Sequence, residues 1–584
     1  MSISSLDTNL SLTNHIWRFE PPDIEKIRHY QTENGLSLLA AKAMATRNLD
    51  ISFVELHNPT MAHLHDPFLM LGMDKAVERI EKAIQNQETI LLVTDYDADG
   101  TTSSMVLSSM FHALGYRHTP TKVHTHIPTR SEGYGFNPPC VDKAVQLGAT
   151  LIITADIGVR DHKAVTYSNT KGIDVIICDH HLPPGESVPK DAYAVLCPPQ
   201  DDCTYPNPSL AACGVCFKLA QAMLARSGKT LDSQHRFLYS FLKIVAIGTV
   251  GDVVSLASKE NRAIVSLGIQ AIQNPTLRNR DGFQALLDVA RVGDHITASD
   301  MGFKLAPRIN AAGRMADPKL VAELLSSTSS AEAKRLAKKL DDLNKRRQEV
   351  QQEMVDSIVQ KVPEEIPNFL VITGTREEGF HKGVGGIVAA RLRDQFHRPV
   401  AVASGYETLT GSIRSIGDVH AVDALDRCKD ILIKYGGHPV AAGFSLKREH
   451  LEEFTKRLND FVAETTDPEQ LIPVRLVEVQ CRMEDITFKS VSEFMRLEPF
   501  GKDNYKPLVL LKDIKPKRVE TMGKEHTHLR FKVGQHRAIW FGASEHQTTL
   551  QRNTVDLLVE PDFNHYNGRV TVQLMVKDVR LSKG

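Results

Sequence analysis

The stretch Val93-Thr94-Asp95-Tyr96-Asp97-Ala98-Asp99-Gly100 decides the fold. An apolar, β-favouring run at 89–93 precedes it and predicts a buried parallel strand, and apolar residues at helical spacing follow it. Its carboxylates therefore lie at the carboxyl end of a strand, in the turn before a helix, where open α/β sheets bind ligands. Acids this close repel one another, and a divalent cation would compensate them. The alternative is a solvated Asp-rich turn with Gly100 at positive φ.

The same pattern recurs further along the chain. Apolar runs at 149–155 and 172–178 lead into Asp156 and into Asp179-His180-His181, and an apolar, helical segment at 241–250 ends at Gly251-Asp252. Right-handed crossovers in a parallel sheet bring such ends to one edge, so we expect these side chains to converge. Capping of the next helix would explain any one of these acids, but it is a poor explanation for all of them.

A cluster of this composition favours a particular chemistry. Carboxylates with one or two imidazoles select Mg2+ or Mn2+ over zinc. Two such ions, about 3.5–4 Å apart, clamp the attacking and leaving oxygens of a phosphoryl displacement. Asp156, alone on its loop, is the natural bridging ligand. His181 can contact the scissile phosphate or protonate the leaving oxygen.

Bulk properties restrict the alternatives. A chain of 584 residues is too long for one core, and its 42% hydrophobic and 24% charged residues are typical of a soluble globular protein. The net charge of −1 does not indicate a nucleic-acid binder, so any basic surface must be local. No stretch is apolar enough to span a membrane, and residues 1–10 do not resemble a secretory signal. The eight cysteines predict reduced thiols and a cytoplasmic location.

The remaining chain contains further recognition features. Arg308 and Arg314 flank small residues and suit phosphate binding, with an exposed solubilising pair as the alternative. A Gly-free and Pro-free stretch at 329–361 predicts a long connector helix. Glycine-rich segments follow at 381–387, 411–415 and 435–443, and glycines let backbone amides approach phosphates. Beyond residue 471, short alternating strands predict a small barrel.

The motifs resemble those of the DHH phosphoesterase superfamily, and the downstream sequence is similar to its RecJ family. The resemblance covers essentially the whole chain. It implies an α/β protein in which a parallel-sheet DHH catalytic domain is joined by a long helix to a smaller α/β DHHA1 domain, followed by a C-terminal OB-fold barrel. The implied limits are 1–320 for the catalytic domain with an N-terminal wrapping segment, 321–365 for the helix, 366–465 for DHHA1 and 466–584 for the OB-fold.

The resemblance also implies residue roles. The implied metal ligands are Asp97, Asp99, Asp156, His180 and Asp252. Asp156 bridges and His181 faces the phosphate, while Asp95 is either a ligand or a support. Asp179 is expected to orient His180. The implied phosphate and nucleic-acid contacts are Arg130, Arg308, Arg314, Ser412, Arg414 and His438.

The implied activity is hydrolysis of single-stranded DNA from its 5′ end, releasing 5′-mononucleotides with two Mn2+ or Mg2+ ions, in recombination and repair. A monomer is expected, acting with a single-strand-binding protein and a helicase, without a membrane. The barrel carries a basic segment at 512–524 and aromatic candidates for base stacking. The alternatives are a small-molecule phosphoesterase, such as a pyrophosphatase or dinucleotide hydrolase, and a non-catalytic replication scaffold. Asp503 and Tyr505 stand where the family has Gly and Pro, which puts the local loop geometry in doubt.

Overall fold

The computed structural model describes residues 10–47, 58–115, 122–129, 132–133, 135–182, 185–274, 281–293 and 295–583. The chain divides into two compact units. Unit I comprises residues 48–345 and 498–505, and unit II comprises residues 1–47, 346–497 and 506–584. Within the described ranges, no helix has both the length and the apolar character needed to cross a membrane.

Strands and helices are numbered in chain order. The strands are β1 Ile16–Phe19, β2 Thr89–Thr94, β3 Val123–His126, β4 Ala149–Ala155, β5 Asp174–Cys178, β6 Ala194–Leu196, β7 Leu370–Gly374, β8 Val400–Ser404, β9 Thr408–Arg414, β10 Leu432–His438, β11 Ala441–Lys447, β12 Val474–Val477, β13 Val479–Gln480, β14 Val509–Ile514, β15 Lys517–Met522, β16 His528–Val533, β17 His536–Trp540, β18 Val555–Tyr566 and β19 Arg569–Leu581. The helices are α1 Ile24–Thr32, α2 Leu38–Ala45, α3 Met73–Gln85, α4 Ala98–Ala113, α5 Pro138–Leu147, α6 His162–Thr170, α7 Ala212–Arg226, α8 Leu231–Gly251, α9 Lys259–Gln273, α10 Asp281–Val289, α11 Ala306–Met315, α12 Lys319–Ser326, α13 Ser330–Val359, α14 Gly385–Phe396, α15 Ala421–Asp426, α16 Leu451–Thr465, α17 Phe488–Phe494 and α18 Gln547–Arg552.

Unit I is built on a five-stranded parallel sheet in the order β3-β2-β4-β5-β6. Its strands read as continuous apolar runs because helices cover both faces. Ile90 and Leu92 of β2 pack into the core that contains α3, α4 and α7. Leu91 and Val93 face the opposite core, with α5 and α6. The parallel sheet predicted from the sequence is confirmed.

The register of this sheet continues one residue beyond its strands. The Asp95 amide donates to Ala155 O at 3.2 Å, and the Asp156 amide donates to Cys178 O at 3.0 Å. The Asp179 amide in turn donates to Leu196 O at 3.0 Å. The residues that follow β2, β4 and β5 are therefore fixed side by side at one edge. The predicted convergence of these acids follows from strand pairing.

The last acid of the pattern is delivered by a helix, as predicted. Helix α8 ends at Gly251, and Asp252 is its C-cap. A Cβ at Gly251 would lie 3.1 Å from the Cβ of Ala98 and 3.2 Å from the Cβ of Ala306. This glycine thus lets the end of α8 approach both α4 and α11, which brings Asp252 to the edge of the sheet.

Unit II contains two larger sheets. The sheet β10-β11-β9-β8-β7 is parallel only between β7 and β8 and packs on α15 and α16. The seven-stranded sheet has the order β13-β14-β18-β19-β17-β16-β15. The alternating pattern predicted most of its strands, but the polar edge strand β15 lies within the segment 512–524, which was noted only for its basic charge.

The N-terminal segment packs within unit II. Strand β1 pairs in parallel with β12, and the Trp17 indole Nε1 donates to Asp578 Oδ2 at 2.8 Å. The sequence had assigned residues 1–70 to the first domain, but the contacts of 10–47 lie in unit II. The helix expected at 36–47 is present as α2, and the long connector is α13.

Residues 498–505, expected in the OB-fold, belong to unit I. Arg262 Nη2 donates to Glu498 O at 2.9 Å, and the Leu256 amide donates to Lys502 O at 2.8 Å. Asp503 has a φ of +59°, in the left-handed region. The family resemblance places Gly at this position, and the backbone keeps the conformation that favours glycine although the residue is Asp.

Asp503→Gly should therefore stabilise unit I, by about 0.5–1 kcal/mol, because glycine adopts positive φ without the steric cost of a Cβ. The measurement is thermal or urea unfolding followed by circular dichroism. Asp503→Ala is the control and should be destabilised, because Ala tolerates this region less well than Asp. A lower midpoint for the glycine variant would show that the Asp503 side chain makes a stabilising contact that outweighs the strain.

Candidate metal centre and phosphate-binding residues

The first motif is a turn closed by its own side chains. Asp97 is the N-cap of α4, and its Oδ1 accepts hydrogen bonds from the amides of Asp99, at 2.9 Å, and Gly100, at 3.1 Å. A Cβ at Gly100 would lie 2.4 Å from Asp95 O, so only glycine allows the turn to fold back on itself. The turn directs the three carboxylates of this motif to the edge of the sheet.

Asp99 is held by a second helix. Its carboxylate is buried, and it accepts hydrogen bonds from the amides of Ala212, at 2.7 Å, and Cys213, at 2.8 Å, in the first turn of α7. The N-terminal amides of a helix stabilise an anion. Burial nevertheless raises the pKa of Asp99 to about 6, and the charge of Asp97 adds to this shift. The sequence did not predict this role for α7.

Asp156 and Asp252 complete the acidic side of the cluster. Asp156 is 1% exposed, and its Oδ1 lies 3.4 Å from His180 Nε2 and 3.5 Å from His181 Nδ1. Asp252 Oδ2 lies 3.5 Å from His180 Nε2. Burial raises the pKa of both carboxyl groups well above the usual value, and the neighbouring carboxylates, Asp99 foremost, raise it further.

The structure brings all the predicted metal-ligating residues together. Three groups have ligand atoms that all lie within 4.8 Å of one another: Asp95, Asp97 and Asp156; Asp99, His180 and Asp252; and Asp156, His180 and His181. Asp156 and His180 each belong to two of these groups, and of these two residues Asp156, with two carboxylate oxygens, is the one suited to bridge two ions. Its Oδ1 is buried and accepts no hydrogen bond from the described part of the chain. An oxygen-rich set with imidazole and an unsatisfied buried carboxylate oxygen fits Mg2+ or Mn2+.

Asp179 stands behind the cluster. Its Oδ2 accepts the Val159 amide at 3.0 Å, and its Oδ1 lies 2.9 Å from His181 Nδ1. A carboxylate can only accept, so Nδ1 of His181 carries the proton and Nε2 is left for other partners. Burial alone would lower the pKa of His181, but the bond to Asp179 and nearby carboxylates raise it to about 9. The family resemblance predicts that Asp179 orients His180; the Asp179 Oδ1 accepts the backbone amide of His180 at 2.7 Å and also lies against the ring of His181.

The predicted arginines differ in their surroundings. Arg308 donates from Nε and Nη2 to Asp341 Oδ1, at 3.1 and 2.8 Å, and from Nη1 to Lys304 O at 2.7 Å. Its guanidinium is therefore committed to helix packing, which argues against the predicted phosphate contact. Arg314 follows Gly313, at which a Cβ would lie 2.5 Å from Tyr96 O, so α11 brings it beside the first motif. Arg130 lies outside the described residues.

Ser412 and Arg414 lie together in unit II. A Cβ at Gly386, in the first turn of α14, would lie 2.9 Å from Arg414 Nη2 and 3.5 Å from Ser412 Oγ. An adjoining cavity of about 60 Å³ is lined by Ser412 and by residues 381, 382 and 385, and that volume exceeds the roughly 10–15 Å³ that one water needs. Burial, and the charge of Arg393, lower the pKa of Arg414, so an anion here would stabilise its charged form. His438 ends β10 in the same sheet.

Comparison with known proteins assigns the family. Three family models match in order: the DHH family N-terminal domain at 89–249, the DHHA1 domain at 366–464 and the RecJ OB domain at 477–578. The single-stranded-DNA-specific exonuclease RecJ of Bacillus subtilis is 36% identical over 97% of this chain and 71% of its own length. The chain belongs to the RecJ family.

Solved RecJ structures share the fold. The crystal structure of RecJ from Thermus thermophilus in complex with Mn2+ has a TM-score of 0.82 and 26% identity, covering 98% of this chain and 80% of that chain. The Mg2+ complex from the same organism has a TM-score of 0.76 at the same identity, over 98% and 79%. The RecJ fold predicted from the sequence is confirmed, and both metals predicted as cofactors occur in these relatives.

Sequence reasoning missed two supports of the RecJ site. The α7 amides that hold Asp99 carry no motif, and the small residues at 211–214 are the only signal of that helix start. The second support is Lys502, whose charge lowers the pKa of Asp252 against the larger effects of burial and the neighbouring carboxylates, which raise it. It lies 250 positions from Asp252 along the chain, in the segment 498–505, so no local pattern could reveal it.

Divalent cations should stabilise the protein, because they would relieve the carboxylate repulsion. We expect MnCl2 to raise the unfolding midpoint of EDTA-treated protein, by the equivalent of about 2.7 kcal/mol at a hundredfold excess over Kd. Asp156→Asn should have a higher midpoint without metal and a much smaller response to Mn2+. Differential scanning calorimetry measures both. The control Asp202→Asn removes an exposed carboxylate of the same unit and should respond like the parent protein. An unchanged parent midpoint would contradict the metal assignment.

Proposed function

We propose that this protein is a 5′→3′ exonuclease that hydrolyses single-stranded DNA to 5′-mononucleotides with two Mn2+ or Mg2+ ions. The observation that carries the proposal is the convergence of Asp95, Asp97, Asp99, Asp156, His180, His181 and Asp252 at one sheet edge in a RecJ-family chain. The relatives are named single-stranded-DNA-specific exonucleases, and the family models match the catalytic, DHHA1 and OB regions in order.

The geometry of the cluster supports the ligand roles. Asp97, Asp99, His180 and Asp252 would hold the ions, and Asp156, whose two carboxylate oxygens suit a bridge, would be the ligand that both ions share. Asp95 shares a group with Asp97 and Asp156, which supports a role as ligand. When bound, the ions supply Lewis acidity and lower the pKa of a coordinated water.

His181 is the residue suited to proton handling. Asp179 fixes its ring through Nδ1 and stabilises its charged form. Its Nε2 can then donate to a phosphate oxygen or to the leaving 3′ oxygen of the cleaved nucleotide. Arg314, beside the first motif, adds a positive charge for the strand, whereas Arg308 supports the helix packing beneath it.

The 5′-terminal phosphate belongs in unit II. Arg414 and Ser412 lie against the N-terminal turn of α14, and helix N-termini with a guanidinium are suited to phosphate. By family resemblance we assign Arg130 to phosphate binding and His438 to the path of the strand. The DHHA1 domain, with limits at 366–465, is thus the domain that recognises the strand end.

The OB region supplies stacking faces for the bases. Of its aromatic candidates, Phe531 and Trp540 are buried, whereas Phe541 is 56% and Tyr566 is 69% exposed. Only the exposed pair can meet bases, and stacking contributes about 1–3 kcal/mol per base. The family role further suggests a helicase and a single-strand-binding protein as partners and action in the cytoplasm, where all eight cysteines can stay reduced, as they are here.

Asp156→Ala should lower turnover by about 10³-fold or more, because the bridging carboxylate positions both ions and metal assistance contributes several kcal/mol. Strand binding in EDTA should change little, since the Asp156 side chain is buried and the proposed phosphate contacts do not include it. The measurement is release of 5′-mononucleotides from a 5′-phosphorylated single strand with Mn2+, with fluorescence anisotropy for binding.

The parent protein is tested in parallel on matched duplex and pyrophosphate, with Mn2+ or EDTA. A preference for pyrophosphate would indicate a small-molecule phosphoesterase, and inertness towards every substrate would indicate a scaffold. Normal cleavage by a folded Asp156→Ala protein would contradict the bridging role.

Arg414→Ala should remove the preference for phosphorylated ends. We expect kcat/KM for a 5′-phosphorylated strand to fall about 10- to 100-fold, with little change for a 5′-hydroxyl strand, because a charge-assisted hydrogen bond is lost only with the phosphate. The control Arg427→Ala removes an exposed arginine of the same unit, paired with Glu464 at the surface. Equal losses on both strands would refute the assignment.

A further inference from the structure

Two large apolar side chains are exposed beside the end of α8. Phe303 is 82% exposed and Val253 is 60% exposed. Val253 directly follows Asp252. Neither side chain has a part in the metal centre. Single exposed apolar side chains are common on proteins, but exposed apolar groups beside a reactive site are candidates for contact with the substrate.

Packing brings Phe303 to the same end of α8 as Asp252. Phe303 lies in a π-helix, Met301–Leu305, which passes directly into α11. A Cβ at Gly302 would lie 3.3 Å from Val250 Cγ1, and a Cβ at Gly251 would lie 3.2 Å from the Cβ of Ala306. Gly302 and Ala306, on either side of Phe303 in the chain, thus pack against Val250 and Gly251, the two residues that precede Asp252.

The backbone is unusual both at Val253 and around Phe303. Val253 has a φ of +60°, which a β-branched residue rarely adopts. The π-helix is marked by a hydrogen bond from the Ala306 amide to Met301 O. Such single turns are rare in proteins, and those that occur are often found at functional sites. Strained or irregular backbone persists where the surrounding structure holds it, commonly at ligand sites.

We propose that Phe303 and Val253 form an apolar platform for one nucleobase of the strand whose phosphate occupies the metal centre. This rests on the proposed function. A single strand presents each phosphate with an unstacked base a few ångströms away, and bases stack on aromatic rings regardless of sequence. The platform would position the cleaved nucleotide and favour DNA with bases over an abasic backbone.

The surroundings favour a base over other ligands. The neighbouring acidic cluster would hold cations, and these would attract the phosphate of the substrate. The apolar platform beside it is suited to an uncharged, flat group. Val253 directly follows Asp252, and Gly302 packs on Val250, so a group that covers the side chains of Val253 and Phe303 also approaches the reacting phosphate. A nucleobase is the part of the substrate that meets both conditions.

The test combines a protein variant with a substrate variant. A 5′-phosphorylated oligonucleotide carries one abasic nucleotide, moved in turn through its first four positions. In the parent protein, the abasic nucleotide at one position should raise KM about tenfold. In Phe303→Ala, KM for the intact strand should rise by a similar factor, and the abasic nucleotide at that position should have no further effect. Phe303→Trp should keep the parent behaviour, and Val253→Gly should show a smaller rise.

The control is Leu231→Ala, which removes a side chain that is 69% exposed at the opposite end of α8, about 30 Å away along the helix. It should retain the parent KM and abasic profile. Unfolding midpoints check that each variant is folded. The same abasic profile in the parent and Phe303→Ala would overturn the platform. Failure of the parent to cleave any single strand would instead overturn the proposed function.

Discussion

Repulsion among buried carboxylates is the constraint on which the catalytic half of this molecule depends. Carboxylate oxygens of Asp95, Asp97 and Asp156 lie within 4.8 Å of one another in the metal-ligand cluster. At 4 Å and an effective dielectric constant of 20, two like charges repel by about 4 kcal/mol. A hydrogen bond to a charged group returns about 1.5–3 kcal/mol. The amides that hold Asp97 and Asp99 therefore leave much of the repulsion in place. Without metal it raises the pKa of Asp156 and Asp252, and a bound divalent cation would relieve it.

The fold resists this repulsion through contacts made outside the cluster. Strand pairing fixes the backbone of Asp95, Asp156 and Asp179 before any side chain interacts. Glycines then allow close approach where a side chain would separate the elements, at Gly100 and Gly313 above all. Apolar cores on both faces of the sheet thus hold the edge that carries the metal-ligand cluster in position.

The sequence predicted the parts of the site that strand register determines. Asp95, Asp156 and Asp179 follow apolar strands, so their convergence needed only the rule that parallel strands share an edge. Asp252 ends a helix and reaches that edge through the close packing at Gly251. Roles that depend on distant packing could not be predicted. Arg308 was predicted to contact phosphate because the sequence does not reveal its partner Asp341, which lies on another helix. The family resemblance pairs Asp179 with His180, and the contact of Asp179 with the ring of His181 depends on a rotamer that no sequence pattern reveals.

Long-range pairings explain the remaining differences in the fold. Strand β1 finds its partner β12 more than 450 residues later, and residues 498–505 join unit I through backbone carbonyls that any residue could supply. Neither contact leaves a pattern of residue types. The proposed nucleotide platform also depends on distant packing. In the sequence, Phe303 is one apolar residue among many, and only the packing of Gly302 on Val250 shows that its exposed ring lies near Asp252. An exonuclease must release each base after one cut, and a flat apolar contact without hydrogen bonds to a base edge allows that for every sequence.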